Sequence, residues 1–220
     1  MAKPTWLKQV EHDKRKTKDI PIFVDDSLYG NLEKIINEAN WPYKSVLADK
    51  LRLRDHAFVS LLILTGLRVS EALKLKRKQF RIYEDHILLV NVETAKHGLM
   101  RKEILLPKRG NLARFTNIFE AWLNTIPEEK EEWFIFPAAT SHAIRFQKPL
   151  TRFRVSAIIK KTTGKFPHWF RAVCENIYGK KVFQNNAYKL KDFMGLVNLA
   201  STDPYVQADW QEDKGRIFKL

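Results

Sequence analysis

The sequence holds a single cysteine, Cys174, in 220 residues. That excludes an internal disulfide framework and any zinc site built on cysteine, and it suits a reducing, intracellular setting. Long apolar runs are missing too. The longest, around Phe58 to Leu64, is far short of a membrane span, and the opening Met1-Ala2-Lys3-Pro4-Thr5-Trp6-Leu7-Lys8 lacks the apolar core of a secretion signal. There is no lipidation signal at either end, no internal repeat, no low-complexity tract and no carboxylate cluster with metal-ligand spacing. The expectation is a cytoplasmic protein with no membrane partner, no metal and no other cofactor.

Acidic residues are scarce as well. Against 39 Lys+Arg there are 25 Asp+Glu, which leaves a net charge of +14. The chain has the length of one large domain, and its 45% hydrophobic and 12% aromatic residues can bury a core, so a wholly disordered chain is excluded. A basic excess of this size concerns partners rather than fold, and points to nucleic acid or an anionic membrane surface, the second with nothing further in its favour. The charge is also localised. Between residues 141 and 191 twelve basic side chains face the lone acid Glu175, and between 50 and 81 nine face Asp55 and Glu71. Two basic segments with apolar residues interleaved suggest two parts of one surface gripping a polyanion. Ordinary solvated helix faces are the plainer alternative.

Residues 1–19 are polar without sustained periodicity and read as a basic flexible tail or linker remnant. After Asp26-Ser27, the residues Leu28, Leu32, Ile35, Ile36 and Ala39 recur at helical steps behind a capping start, and Trp41-Pro42 closes the segment. Leu53, Ala57, Leu61 and Leu64 mark a second helix from about Leu51 to Thr65, stopped by Gly66 in a left-handed cap position. A short helix is expected over Val69 to Leu75. Three β-rich runs follow, Gln79 to Tyr83, His86 to Val92 and Arg101 to Leu106, which fit an antiparallel meander. Helical periodicity returns over Leu112 to Leu123, Phe153 to Ile159, Trp169 to Ile177 and Tyr188 to Met194. The fold class predicted is α+β, mainly α-helical, with a small three-stranded antiparallel sheet inserted early.

Three places carry candidate chemistry. In Thr65-Gly66-Leu67-Arg68-Val69-Ser70-Glu71-Ala72-Leu73, an arginine follows a helix-ending glycine and sits between apolar residues at the head of a new helix. Such an arginine needs an anion. Phosphate capture at the helix start is one reading, and pairing with Glu71 or snorkelling to the surface is the other. In Pro167-His168-Trp169-Phe170-Arg171, a helix puts His168 and Arg171 on one face, the first able to exchange a proton and the second to fork onto phosphate oxygens. A helix-start histidine beside a surface arginine is the alternative. Tyr205, in Ser201-Thr202-Asp203-Pro204-Tyr205, is unremarkable by itself. Cys174, one turn after Arg171 on an apolar helix, is expected in the core.

Taken in order, a Thr-Gly-Leu-Arg box, a lysine in a β-turn, His-x-x-Arg and a tyrosine resemble the catalytic domain of the tyrosine recombinase (phage integrase) family. The resemblance runs from about residue 20 to 206, and divides the chain into a tail (1–19), a catalytic domain (20–205) and a C-terminal tail (206–220). Ala95-Lys96-His97-Gly98, leading into Arg101-Lys102-Glu103-Ile104-Leu105-Leu106-Pro107, looks like the family's β-hairpin, whose turn carries the catalytic lysine. Lys96 is that candidate, with Lys102 second. Two positions depart from the family: Ala172 replaces the histidine common after His-x-x-Arg, and Leu196, nine before the tyrosine, replaces a histidine or tryptophan that donates to phosphate. His142 and His97 are the candidate substitutes. About 20 residues also precede the domain, where the family generally carries a helical core-binding domain.

What the resemblance implies is a site-specific DNA recombinase. Tyr205 would attack a scissile phosphate of double-stranded DNA to give a 3′-phosphotyrosyl intermediate, Arg68 and Arg171 would hold the non-bridging oxygens, Lys96 would protonate the leaving 5′-oxygen, and His168 would accept the tyrosine proton or support the phosphate. Neither metal nor ATP is required. Self-association as a tetramer on DNA is implied, with a monomer when free, and the tail after Tyr205, with Trp210, Ile217, Phe218 and Leu220, either docks on a neighbouring subunit or on its own domain. Two alternatives remain: a degenerate member that binds DNA without cutting it, and a type IB topoisomerase-like enzyme. An RNA-binding or ribosomal protein would explain the charge but not the ordered series.

Overall fold

The structure, a computed structural model, describes residues 24–39, 41–94 and 100–196, without the side chains of Met100 and Lys102. Helix α1 spans Asp26–Asn37 and begins as its sequence directs, with the Asp25 carboxylate accepting from the Leu28 amide at 3.1 Å. Helix α2, Ala48–Thr65, is the centre of the molecule. From Ala57 to Thr65 every residue is buried, so the apolar stretch that is too short for a membrane is a core helix wrapped on all sides. It packs against α4 (Ala113–Leu123) and α6 (Pro167–Ile177), while α3 (Val69–Ala72), α5 (Arg152–Thr163) and α7 (Ala187–Met194) complete the helical set among the described residues.

Strands β1 (Phe80–Ile82), β2 (His86–Glu93) and β3 (Met100–Pro107) form the expected antiparallel meander in the order β1-β2-β3, with Ile82 opposite Ile87 and Leu89 opposite Ile104. Ile87, Leu89, Ile104 and Leu106 turn one face of the sheet into the core.

Two features differ from expectation. The helix after Gly66 ends at Ala72 instead of Leu75. Its continuation is claimed by a distant segment: the Ile135 amide donates to the Leu75 carbonyl, the Arg77 amide to Trp133 and the Lys78 amide to Glu131. A helix over the same residues would leave those backbone groups of 131–135 without partners. A second small sheet, β4 (Pro137–Ala139) with β5 (Ile144–Pro149), is additional, and Phe146 on β5 stacks on Trp133 at 4.5 Å.

Between α2 and this second sheet lies a buried polar knot. Arg54 donates to Asp55 at 2.8 Å, to the Pro137 carbonyl at 2.8 Å and to the Tyr43 hydroxyl at 3.1 Å, and Tyr43 in turn donates to the other Asp55 oxygen. Both charges are almost wholly enclosed, so removing one strands the other. Asp55→Ala is therefore expected to cost roughly 3–5 kcal/mol in urea unfolding, and Tyr43→Phe about 1 kcal/mol. Equal, small losses for both would mean the pair contributes no more than a surface contact.

Candidate functional site

The site is assembled at the C-terminal end of α2. Gly66 closes the helix at φ 60°, a left-handed conformation, and its amide donates to the Leu62 carbonyl at 2.9 Å. A Cβ there would stand 2.6 Å from Met194 Cε and 3.2 Å from Cys174 Sγ, so the glycine is needed both for its dihedrals and for the direct approach of α6 and α7. Cys174 is a buried, free thiol, as expected, and burial pushes its pKa up to about 12.

A helix C-terminus exposes unpaired carbonyls that carry partial negative charge, and α2 has no basic residue in its last turn. Two arginines from elsewhere supply the donors. Arg101, on β3, donates both terminal nitrogens to the Thr65 carbonyl at 3.0 Å and lays its guanidinium over the Phe193 ring, 4.8 Å from its centroid. Arg171, on α6, donates to the Gly66 carbonyl and, at 3.3 Å, to the Met194 carbonyl at the end of α7. Both are buried. Burial is the main cause that lowers their pKa values, that of Arg101 to about 10, which still leaves it charged at neutral pH.

Arg68 enters from the other side. It is the N-cap of α3, and its amide donates to Glu71 Oε2 at 2.7 Å while its guanidinium donates to Oε1 at 2.7 Å. Glu71 also stands 4.0 Å from Arg171. One buried carboxylate thus holds the two arginines singled out in the sequence, and each guanidinium is near enough for Arg68 to depress the pKa of Arg171. The pairing of Arg68 with Glu71 and the capture of an anion are compatible, because the Arg68 side chain remains 26% exposed. His168 lies one turn before Arg171, at the exposed start of α6 behind Pro167. Lys96 and Tyr205 lie outside the described residues, as do His97, the Lys102 side chain and the tail. The described flanks of the 95–99 segment reach the site: at Gly195, the C-cap of α7, a Cβ would meet Thr94 Cγ2 at 2.9 Å and the Arg101 side chain at 3.3 Å. Leu196 is half-buried against the core, and His142 is exposed in the turn between β4 and β5.

The basic segments fare differently on folding. Of the 50–81 group, Arg54 pairs with Asp55, Arg77 with Glu128, and Lys76 and Lys78 with Glu132, whose carboxyl they hold down at about 2. The acidic stretch 128–132 is folded onto this group. In the 141–191 group, Arg145, Lys148, Arg152, Arg154, Lys160, Lys161, Lys189 and Lys191 make no ion pair among the described residues. They form the uncompensated surface, together with Phe153, which is 86% exposed on α5.

Three functional neighbours escape a sequence reading: Arg101, Glu71 as the shared anchor, and Glu175. The last had a signal, being the only acid among twelve bases. It is 4% exposed, and burial pushes its carboxyl up to about 7 against the opposing pull of Arg171 and Arg68. A carboxyl whose folded pKa lies above its unfolded value near 4.5 contributes stability that is full below that value and lost as pH rises through about 7, on the order of 3 kcal/mol. Glu175→Gln is expected to abolish this loss, so that the variant gains on the wild type in urea unfolding between pH 4.5 and 8. A difference that does not change with pH would show that Glu175 does not titrate in this range.

By sequence, no curated protein matches the chain. Solved structures do match in fold. The XerH site-specific recombinase bound to palindromic difH substrate, in a post-cleavage complex, superposes with a TM-score of 0.63 at 18% identity, over 91% of this chain and 54% of that one. The XerA recombinase gives 0.54 at 16%, over 90% and 64%, and the Tn1549 transposon integrase in complex with a circular intermediate DNA gives 0.52 at 15%, over 90% and 65%. The chain therefore spans between half and two thirds of the length of these structures. Residues 30–212 match the phage integrase family. With the fold, the box at Arg68 and Arg171 of α6 in agreement, the chain belongs to the phage integrase family of tyrosine recombinases.

Proposed function

We propose that this chain is the catalytic part of a site-specific recombinase that cleaves and rejoins double-stranded DNA through a 3′-phosphotyrosyl intermediate. The observation that carries this reading is the convergence of Arg68 and Arg171, 103 residues apart in sequence, on the single carboxylate of Glu71. Two permanently charged, planar groups held side by side fit the non-bridging oxygens of one phosphate and the charge that grows on them in a pentavalent transition state. Tyr205 Oη attacks phosphorus, the bond to the 5′-oxygen breaks, Lys96 gives its proton to that oxygen, and His168 accepts the proton of the tyrosine. The phosphotyrosyl ester keeps the bond energy, so the reverse attack by a 5′-hydroxyl rejoins the strand. The unpaired basic side chains of α5 and its neighbours would hold flanking phosphates. Work as a tetramer on DNA belongs to the same reading.

A second reading has its own support. Arg171 is already engaged by two backbone carbonyls, and Leu196 places an apolar side chain where a phosphate donor is expected. Both suit a member that holds DNA without cutting it.

A nicked suicide duplex separates the two. The wild type is expected to form a covalent protein–DNA adduct, Tyr205→Phe none, and Arg68→Ala roughly 10²–10³-fold less per unit time. Absence of any adduct with tight DNA binding would select the second reading, and relaxation of any supercoiled circle without exchange between two sites would select a topoisomerase-like enzyme. Binding should also weaken steeply with salt. Replacing Arg152 and Lys161 by alanine is expected to lower the slope of log K against log salt by about 1–2; an unchanged slope would remove α5 from the DNA surface.

A further inference from the structure

Glu175 is the one buried carboxyl of this region that the proposed chemistry does not use. It stands on α6 one turn beyond Arg171, and its Oε1 has no hydrogen-bond partner. The guanidinium groups nearby are directed elsewhere: Arg171 to the carbonyls of Gly66 and Met194, Arg68 to Glu71, Arg101 to the Thr65 carbonyl. The charged and titratable groups that act on Glu175 are Arg171 and Cys174 of its own helix and Arg68 at the start of α3. Behind them, Glu71 of α3 and Arg101 of β3 act on Arg171, and Tyr178 acts on Cys174.

An ionised carboxylate enclosed without a donor is costly, and a carboxylic acid is much less so. In an empty site the nearby charges of Arg171 and Arg68 offset part of that cost. It changes once their charge is shared with a bound phosphate, since two anions within one poorly solvated cluster repel strongly. We infer that Glu175 is the charge-balancing proton site of the arginine clamp: it gives up its proton more readily when the clamp is empty, and holds it when a phosphodiester occupies Arg68 and Arg171. Glu175 thereby positions nothing on the substrate directly; it acts through Arg171. The inference rests on the reading of Arg68 and Arg171 as a phosphate site.

Linkage fixes the consequences. If phosphate binding takes up a proton at Glu175, rising pH must weaken binding, and by reciprocity bound phosphate must raise the pKa of Glu175. With the empty-site value near 7, affinity should fall by up to about tenfold per pH unit above that value. A neutral side chain at 175 should be indifferent.

The test measures binding of a duplex oligonucleotide and, separately, of inorganic phosphate between pH 6 and 8.5 by titration calorimetry in buffers of different ionisation enthalpy, which counts protons taken up. The wild type is expected to take up close to one proton at pH 8 beyond any taken up by Glu175→Gln, and to lose affinity with pH where the variant does not. Groups common to both proteins, His168 included, cancel in that difference. Glu175→Met, of similar length and without polar atoms, should behave like Glu175→Gln, so a folding defect in one variant leaves the comparison intact. Equal proton uptake and equal pH slopes in wild type and both variants would overturn the inference while leaving DNA cleavage standing. Failure of the wild type to bind either probe or to form the covalent adduct would instead overturn the phosphate site itself, and the inference with it.

Discussion

The constraint on which the rest of this molecule depends is the burial of a helix C-terminus. The end of α2 lies inside the protein, where no water can satisfy the carbonyls of Thr65 and Gly66, and its own last turn offers no cation. Arg101 and Arg171 meet that need from two other elements. The solution ties four parts of the chain to one point: the box through Thr65 and Gly66, the sheet through β3, α6 through Arg171, and the end of α7 through Met194 and the Phe193 ring. Gly66 makes the approach close enough, since any Cβ there would displace Met194. A satisfied backbone carbonyl and a positioned buried arginine are therefore the same interaction.

Electrostatics at longer range follows from which acids the fold brings to which bases. The sequence divides its positive charge between two segments, and by composition they look alike. Folding separates them. The antiparallel contact of 75–78 with 131–135 places Glu128 and Glu132 beside Arg77, Lys76 and Lys78, so that these three charges are largely neutralised. In the 141–191 group, Arg145, Lys148, Arg152, Arg154, Lys160, Lys161, Lys189 and Lys191 meet no such counterpart among the described residues and keep their charge. A polyanion would thus be steered toward the uncompensated basic side chains of α5, while 26% of the Arg68 side chain is left open to solvent.

Much of this was legible beforehand. The helix stop at Gly66, the three-stranded meander and the buried Cys174 follow from local chemistry, and the first helix starts within a residue or two of the expected cap at Asp26-Ser27, with Asp25 as the cap itself, because caps, left-handed glycines and apolar periodicity act over a few residues. The shortened α3 and the β4–β5 pair do not, since both depend on backbone hydrogen bonds between segments some 60 residues apart or on a strand whose burial alternates only weakly. The same distinction divides the site. Arg68 and Arg171 stand in recognisable boxes. Arg101 reads as an ordinary strand residue because its partner is a carbonyl, which has no side-chain identity to betray it. Glu175 was visible as a lone acid, but its meaning required knowing that α6 turns it inward.

The charge count inside the cluster gives the remaining step. Three guanidinium groups, from Arg68, Arg101 and Arg171, converge where, among the described residues, Glu71 is the only carboxylate engaged in a hydrogen bond with any of them. The carbonyl ends of α2 and α7 contribute partial negative charge, but partial charges of this kind amount to about half an elementary charge per helix end. The cluster is therefore short of negative charge whenever Glu175 is neutral. In an enclosed site such a deficit is met either by a buried group that ionises or by an anion that enters, and the two compete. The enclosed carboxyl of Glu175 and the solvent-facing edge of Arg68 are the two places where this structure can accept that charge. Arg171 is the charge common to both: Arg68 lowers its pKa from the box, and Glu175 raises it from one turn further along the same helix.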